Sequence, residues 1–247
     1  MNKTEKTVRI RKGRCSVTEV AGVKEVAKAQ ALRAECFGVS RNIDADLHDL
    51  KARHFLIHDD GNGPPVGCFR LRMFDHGTVQ DSYAGEFYDL SKLAALNAPM
   101  LEIGRFCIAP GREAPDLIRL AWAAITQVVD AGGVALLFGC SSFAGTDPQP
   151  YLQALSHLKA AHQAPAGTGV ARMSEKIIDF EALAGGSYDR KAALQQLPPL
   201  LRSYLTLGAW VSDHAVIDRQ MNTLHVFTAL EVARIPPARQ RLLRALV

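Results

Sequence analysis

Apolar residues recur at intervals of three and four in several stretches of the chain, which is the spacing typical of helices. In "VKEVAKAQALRAECF" (23–37) the apolar face would consist of Val23, Val26, Ala27, Ala31 and Ala34, and Gly38 would end the helix. Two further helices are predicted in "DLIRLAWAAITQVVDAGG" (116–133) and in "PPLLRSYLTLG" (198–208), which starts with Pro and ends with Gly.

Other stretches are short apolar runs bounded by turn residues, which predict strands. "HFLIHDDGNGPPVGCFRLRMF" (54–74) reads as a hairpin, and "AWVSDHAVID" (209–218) with "NTLHVFTALEV" (222–232) reads as a closing strand pair. "LEIGRFCIAP" (101–110), the helix after it and "VALLFGC" (134–140) predict parallel strands joined by a right-handed crossover. The pattern therefore favours one α/β domain with mixed strand pairing.

Composition is that of an ordinary globular protein, with 48% hydrophobic and 22% charged residues in 247. No apolar run approaches the roughly 18 residues of a membrane span, and the first residues lack the core of a secretory signal. The five cysteines show neither CxxC nor metal-ligand spacing. We expect reduced thiols, a cytoplasmic location and no metal site.

Positive charge is concentrated at the two ends of the chain. Residues 1–14 hold six basic residues and one acidic residue, and residues 234–247 hold four basic residues and no acidic one. Because the whole chain is only +4, the body between the ends is acidic. Basic ends suggest docking to an anionic membrane or an acidic carrier protein, and solvated tails are the alternative. Nucleic acid is not expected, because the body lacks a basic aromatic stripe.

Glu102 and Arg105 are charged residues inside an apolar strand, where unpaired charges are costly. Residues three apart in a regular strand point to opposite faces, but a bulge at Gly104 would place both side chains on one face. We therefore predict that this strand bends at a cleft and directs an acid and a base into it. A buried Glu–Arg ion pair without a chemical role is the alternative.

Five more polar residues could join this site. Arg70 is a charge in the second strand of the hairpin, and Asp46 and Asp49 are spaced to share one face of a helical turn. Ser141 and Ser142 would follow the end of the 134–140 strand, where clefts of α/β proteins open. Asp46 and Asp49 could equally belong to a solvated turn.

Several motifs together resemble a known family. The patterns E-x-x-R-F in "LEIGRF" and G-C-x-R-L in "VGCFRLR", with Asp46 and Asp49 ahead of the strand at His54, resemble acyl-homoserine-lactone synthases and their GNAT-superfamily relatives. "LFGCSSFAGTDP", "LLRSYLTLGAWV" and an "ID…NT" segment resemble the ornithine-lipid-type amino-acid N-acyltransferases more closely. The resemblance covers most of residues 20–230.

The resemblance implies a GNAT-like fold: a mixed, mainly antiparallel sheet with a central parallel strand pair and flanking helices. It also implies transfer of a 3-hydroxyacyl group from acyl carrier protein to the α-amine of an amino acid, with ornithine as the family default. The product would be a lyso-aminolipid for membrane lipid biosynthesis. "PGREAPD" (110–116) departs from the superfamily's coenzyme A motif, so acyl carrier protein is the expected donor and no separate cofactor is expected.

The chemistry of amide formation suggests a role for each candidate residue. Glu102 would be the general base, and Arg105 and Arg70 would bind the α-carboxylate or orient Glu102. Asp46 and Asp49 would bind the ornithine side-chain ammonium or only brace the arginines. Backbone N–H groups around Phe106 to Ile108 would polarise the thioester carbonyl, and Ser141 and Ser142 would hydrogen-bond the ligand.

The expected organisation is a basic tail (1–14), one acyltransferase domain (15–233) with a helical insertion at 150–197, and a basic tail or helix (234–247). That last segment, "IPPARQRLLRALV", suits peripheral contact with the inner face of the cytoplasmic membrane. The alternatives to this function are an acyl-homoserine-lactone synthase that uses S-adenosylmethionine, a coenzyme A-dependent N-acetyltransferase, and a non-catalytic membrane- or carrier-protein-binding module.

Overall fold

The computed structural model of the protein describes residues 7–39, 42–60, 63–112, 115–183 and 187–245. The strands in chain order are β1 (Arg9–Lys12), β2 (Cys15–Val20), β3 (Arg53–His58), β4 (Gly67–Phe74), β5 (Tyr88–Asp89), β6 (Met100–Ile108), β7 (Leu136–Ala144), β8 (Ala171–Arg172), β9 (Ile177–Asp179), β10 (Trp210–Asp218) and β11 (Thr223–Glu231). The helices are α1 (Val23–Phe37), α2 (Ser91–Ala94), α3 (Pro115–Gly132), α4 (Leu152–Ala161), α5 (Arg190–Gln196), α6 (Pro199–Thr206) and α7 (Pro237–Arg244).

The chain divides into two compact units. The first contains Met1–Arg72, Ile103–Val134 and Pro237–Val247, and the second contains Met73–Glu102 and Ala135–Pro236. Strand β6 therefore begins in the second unit and ends in the first.

The first unit contains an antiparallel run of strands in the order β1-β2-β3-β4, and β6 follows β4 in that order. The β3–β4 hairpin confirms the prediction from "HFLIHDDGNGPPVGCFRLRMF". The rings of Phe55 and Phe69 stack across that hairpin at 4.6 Å. Helix α3 contacts β1, β2 and α7.

The second unit has the strand order β6-β7-β11-β10-β9. Strands β6 and β7 run parallel from Met100–Leu136 to Glu102–Phe138, whereas the other pairs of this series are antiparallel. Alternate residues of β11 supply two apolar cores, with Phe227 in one and Val226 in the other. The predicted α/β fold, mainly antiparallel with one parallel pair and flanking helices, is confirmed.

Three local expectations need correction. Residues 9–12 of the expected basic tail form β1, and residues 1–6 lie outside the described residues. Strand β7 continues to Ala144 rather than ending at Cys140, because all nine of its residues pair with β11. Helix α1 has the predicted bounds, and Gly38 ends it with a φ of 62°, but its buried face is formed by Ala29, Leu32, Arg33 and Ala34.

The structure defines the elements of two other segments, residues 150–197 and the C-terminal basic segment. Residues 150–197 contain α4, β8, β9 and α5, and β9 pairs with β10, so this stretch adds an edge strand to the sheet. The C-terminal basic segment forms α7. Arg244 anchors it to α3 by a bidentate ion pair with Asp130 at 2.9 Å.

Candidate active site

Six charged side chains of the first unit form a cluster of three guanidinium groups and three carboxylates. We call this set the charge cluster; its members are Arg33 of α1, Asp44, Asp46 and Asp49 of the following segment, Arg70 of β4 and Arg105 of β6. Four of them were candidates from the sequence. Arg33 and Asp44 were not, and both are buried.

A capping box sets the position of two of the carboxylates. The Asp46 side chain caps a short 3-10 helix, Leu47–Lys51, by accepting from the Asp49 backbone N–H, and the Asp49 side chain accepts from the Asp46 backbone N–H. Both carboxyl groups are thereby held at the same end of this helix. The alternative of a solvated turn is wrong, because Asp49 is buried.

Arg33 joins the carboxylates that come from the 44–49 segment. Its Nε donates to Asp44 at 2.9 Å, and its two Nη atoms donate to both oxygens of Asp49 at 2.8 and 2.9 Å. Its Nη2 also donates to the Asp44 carbonyl. The Arg33 side chain is 1% exposed, so helix α1 and the segment after it are fastened together by a fully desolvated guanidinium.

Arg70 and Arg105 complete the cluster from the strand side. Arg70 Nη1 lies 2.5 Å from Asp46 and 2.6 Å from Asp49, and Arg105 contacts Asp44 at 2.9 Å and Asp46 at 3.0 Å. Each carboxylate therefore meets two guanidinium groups. This geometry supports the reading in which Asp46 and Asp49 brace the arginines.

Strand β6 is distorted where it enters the cluster. Arg105 has a φ of 52°, in the left-handed region that side chains other than Gly rarely adopt. The distortion therefore lies at Arg105, one residue beyond the expected bulge at Gly104. Gly104 instead leaves space for the Arg70 side chain, because a Cβ at this position would lie 3.3 Å from Arg70 Nε. The strained backbone of Arg105 is held by its two ion pairs.

The arginines keep the carboxylates ionised. Burial alone would raise the pKa of Asp49, but hydrogen bonds from Arg33 and the charges of Arg33 and Arg70 outweigh it and place that pKa far below its ordinary value. The pKa of Asp46 is also lowered, because the Arg70 hydrogen bond and the charges of Arg70 and Arg105 outweigh burial.

The lowered pKa values predict acid sensitivity of the fold. Because the folded-state values lie below the unfolded value of about 3.9, the stabilisation is complete above that pH and is lost as pH falls through the folded values. The free energy of unfolding of the wild type, measured with urea, should therefore fall steeply as the pH is lowered from about 5 to about 3. Asp49→Asn should flatten this dependence, whereas Asp130→Asn, which changes the exposed pair with Arg244, should alter it less. If the free energy of unfolding depended on pH equally steeply in Asp49→Asn and in the wild type, Asp49 would not be a source of the acid sensitivity.

Glu102 lies in the second unit and is also buried. Its Oε1 accepts from the Ala84 backbone N–H at 2.8 Å and its Oε2 from the Tyr83 backbone N–H at 3.2 Å. These N–H groups begin the 3-10 turn Ala84–Glu86. Gly85 is required in this turn, because a Cβ there would collide with the Gln80 carbonyl oxygen. Two backbone N–H groups therefore hold the Glu102 carboxyl group in place.

Tyr204 of α6 lies in the electrostatic field of Glu102 and was not a candidate from the sequence. It is buried, and burial together with the negative charge of Glu102 raises the pKa of its hydroxyl. Tyr204 therefore remains a neutral phenol in the field of Glu102.

Comparison with known proteins shows the family of this chain. The acetyltransferase (GNAT) domain model matches residues 28–123. The L-ornithine Nα-acyltransferase of Brucella abortus is 29% identical over 211 residues, which cover 82% of this chain and 75% of the relative. That of Rhodobacter capsulatus is 33% identical over 195 residues, which cover 76% of this chain and 74% of the relative. The chain belongs to the L-ornithine Nα-acyltransferase family. It is an N-acyltransferase.

Two solved structures share the fold of this acyltransferase at low sequence identity. FeeM, an N-acyl amino acid synthase from uncultured soil microbes, has a TM-score of 0.52 at 11% identity, covering 89% of this chain and 92% of that chain. TofI in an apo form has a TM-score of 0.50 at 15% identity, covering 95% of this chain and 100% of that chain. Both likenesses concern the fold alone.

The remaining candidates of the acyltransferase lie on strands. Phe106 stacks on Phe69 at 5.8 Å, and Ile108 ends β6. Ser141 and Ser142 lie within β7 and not beyond its end. The Ser141 hydroxyl accepts from Thr228 at 2.9 Å, whereas Ser142 is exposed and pairs with His225 of β11.

In the ranges that the structure describes, no group of three or more His, Cys, Asp or Glu side chains could hold a metal ion. None of the helices described is both long and apolar enough to cross a bilayer.

Proposed function

We propose that this protein transfers a 3-hydroxy fatty acyl group from acyl carrier protein to the α-amine of L-ornithine, which gives a lyso-aminolipid. The observation that carries the proposal is the 33% identity to an L-ornithine Nα-acyltransferase over about three quarters of both chains. In this reaction the C–N bond forms, the C–S bond of the thioester breaks, the carrier thiol leaves, and the amine loses a proton.

We assign the proton transfer to Glu102, directly or through one water. An amino acid α-amine is mostly protonated at pH 7, so a proton acceptor must act before or during attack. Glu102 is a buried carboxylate, and each of its oxygens accepts a backbone N–H. A carboxylate has about four lone-pair sites, so accepting two N–H groups is compatible with taking up a proton.

The charge cluster has a positioning role in this proposal. It is electrically balanced, and its arginines are buried and paired with carboxylates. Asp46 is its most exposed member, with 22% of the side chain accessible. We propose that Arg70 and Arg105 orient the acceptor amino acid's carboxylate from this rigid frame, and that the backbone around Phe106 and Ile108 polarises the thioester carbonyl. Ser142, exposed on β7, would hydrogen-bond the substrate.

The carrier protein would dock on the basic face of the first unit. Strand β1 buries Ile10 and exposes Arg9, Arg11 and Lys12. Strand β1 and helix α7 both contact α3, so these two basic elements meet on one helix. Arg239 and Arg241 of α7 are exposed. Such a face suits a strongly acidic protein.

Reversing charge on this face should weaken use of the carrier-linked donor. We expect the double variant Arg239→Glu/Arg241→Glu to raise the KM for acyl carrier protein substrate by about tenfold at low salt, with kcat unchanged. The difference should shrink as salt is added, because screening removes steering. Lys191→Glu, at an exposed residue of α5 in the second unit, is the matched control. If Lys191→Glu raised this KM equally, helix α7 would not be the docking surface for the carrier protein.

The function is tested by incubating the purified protein with a 3-hydroxyacyl carrier protein and L-ornithine, and by identifying the product by mass spectrometry. We expect acylation at the α-amine and little product when lysine, glutamine or glycine replaces ornithine. The same acyl group offered on coenzyme A should react more slowly. Product formed from S-adenosylmethionine and not from ornithine would overturn the proposal in favour of a homoserine-lactone synthase.

A further inference from the structure

The "ID…NT" segment of the sequence forms the turn between β10 and β11 in the second unit. Asp218 ends β10, Asn222 follows with a φ of 49°, and Thr223 begins β11. Asp218 and Thr223 pair directly across this hairpin. Asp218 is only 6% exposed, so its carboxyl group needs hydrogen-bond partners inside the protein.

The two carboxyl oxygens of Asp218 have different partners. Its Oδ1 accepts from the backbone N–H groups of Gln220 at 2.9 Å and Met221 at 3.0 Å, and these bonds close the turn. Its Oδ2 accepts from the hydroxyl group of Tyr83 at 3.3 Å. One oxygen therefore builds the hairpin, and the other binds a segment that is distant in sequence.

Tyr83 connects this carboxyl group to Glu102. The Tyr83 backbone N–H donates to Glu102 Oε2 at 3.2 Å, while the Tyr83 hydroxyl donates to Asp218. Its half-buried ring packs edge-on against Phe87 with the ring centroids 5.2 Å apart. A single residue thus joins the β10–β11 hairpin to one of the two N–H donors that hold Glu102.

Other hydrogen bonds fix the shape of the Tyr83–Glu86 segment. Gln80 donates to the Gly85 carbonyl oxygen at 2.7 Å, and the Gly85 N–H donates to Ser82 at 3.1 Å. These bonds lie within residues 80–85, whereas the bond from Tyr83 to Asp218 ties the segment to β10. A reacting group must be held closely, because a displacement of about 1 Å can cost a large factor in rate. The tie to β10 therefore bears on the position of Glu102.

We infer that Tyr83 and Asp218 are positioning residues that hold the Glu102 carboxyl group in the orientation needed for proton transfer. This inference rests on the proposed function, in which Glu102 is the proton acceptor. The Tyr83 hydroxyl acts through the backbone N–H of the same residue and takes no part in the proton transfer. The "ID…NT" segment supplies the fixed point to which this link is attached.

The first test removes the Tyr83 hydroxyl. Tyr83→Phe should lower kcat about three- to tenfold, the effect of one hydrogen bond, and leave the KM for ornithine unchanged. Asp218→Asn should keep most of the activity, because its amide oxygen can accept the turn N–H groups and its NH2 group can donate to the Tyr83 oxygen. Asp218→Ala should lose at least as much as Tyr83→Phe.

Tyr151→Phe is the matched control. The Tyr151 hydroxyl also makes a hydrogen bond within the second unit, to the Ala144 carbonyl oxygen at 2.9 Å. Removing this hydroxyl should leave kcat within about twofold of the wild type. A loss in Tyr151→Phe equal to that in Tyr83→Phe would overturn the inference.

Combination with Glu102→Gln separates positioning from a general loss of folded protein. In the Glu102→Gln background, Tyr83→Phe should cause little further loss, because the group that it positions no longer takes up a proton. A smaller folded fraction would instead multiply the two losses. An unchanged kcat in Tyr83→Phe, or the same loss factor in both backgrounds, would overturn the positioning role while leaving acyl transfer itself intact.

A second measurement does not require turnover. The free energies of unfolding of Tyr83→Phe, Asp218→Ala and the double variant, measured with urea, should be non-additive because the two side chains share one hydrogen bond. Additive values would overturn the inference even in an active enzyme. A wild type that shows this coupling but acylates ornithine from no donor would instead overturn the proposed function, and the positioning role with it.

Discussion

Replacement of Glu102 by Gln is expected to slow acyl transfer by roughly 10²-fold or more, with little change in the KM for ornithine. Gln has nearly the same shape as Glu but cannot take a proton from the amine. The effect should shrink as pH rises, because the free amine fraction of ornithine then grows in solution and less of the reaction needs a base. Initial rates of the wild type and the variant, measured from pH 7 upward, check both statements.

This pH rescue separates a base from a residue that only positions the Tyr83–Glu86 segment. Glu102 accepts hydrogen bonds from Tyr83 and Ala84, and the Gln amide would turn its NH2 group toward one of these donors. A loss caused by a displaced turn would persist at high pH. Glu86→Gln, an exposed carboxylate of the same turn, is the control and should stay within about twofold of the wild type. A loss independent of pH would remove Glu102 from the base role.

Charge within apolar segments was the sequence signal that located two members of the charge cluster. Arg70 and Arg105 interrupt strands that are otherwise apolar, and both lie in the charge cluster. The spacing of Asp46 and Asp49 correctly predicted that their side chains lie close together. That Glu102 and Arg105 serve one cleft stays a prediction from the sequence.

Arg33 was missed because the buried face of α1 was assigned to the wrong residues. The helix is rich in Ala, which occurs on several faces, so the spacing of apolar residues did not define a single stripe. The prediction placed Val23 on the buried face, but Val23 is 88% exposed. Once Ala29 and Leu32 define that face, Arg33 falls on it and becomes a charge in an apolar setting, like Arg70 and Arg105.

Long-range pairing explains the other differences. Ser141 and Ser142 were expected beyond a strand end because polar residues follow an apolar run. Strand β11 pairs with them instead and extends β7 to Ala144. Residues 9–12 were interpreted as a tail from their charge, but Ile10 alternates with basic residues and is buried when β1 pairs with β2. Neither partner strand could be identified from local sequence.

The second large effect is expected at Arg33, where Arg33→Met should lower the free energy of unfolding by about 3–5 kcal/mol. The substitution fits the buried space but leaves Asp44 and Asp49 without the guanidinium that contacts both. The carboxylates remain desolvated and lose part of their compensation. Arg33→Lys keeps the charge and cannot bridge both carboxylates, so an intermediate loss is expected. Urea unfolding at pH 7, followed by the fluorescence of Trp122 and Trp210, measures these values.

The control for Arg33 is Arg244→Met, which breaks the bidentate pair with Asp130 on the surface of the same unit. Its loss should stay below about 1 kcal/mol, because solvent compensates exposed charges. The double variant Arg33→Met/Asp49→Asn should lose less than the sum of its single variants, because removal of the orphaned charge relieves part of the cost. Similar losses for Arg33→Met and Arg244→Met, together with additive behaviour of the double variant, would show that the charge cluster does not hold α1 to the strands. A large, non-additive loss at Arg33 would instead show that the charge cluster holds α1 to the strands.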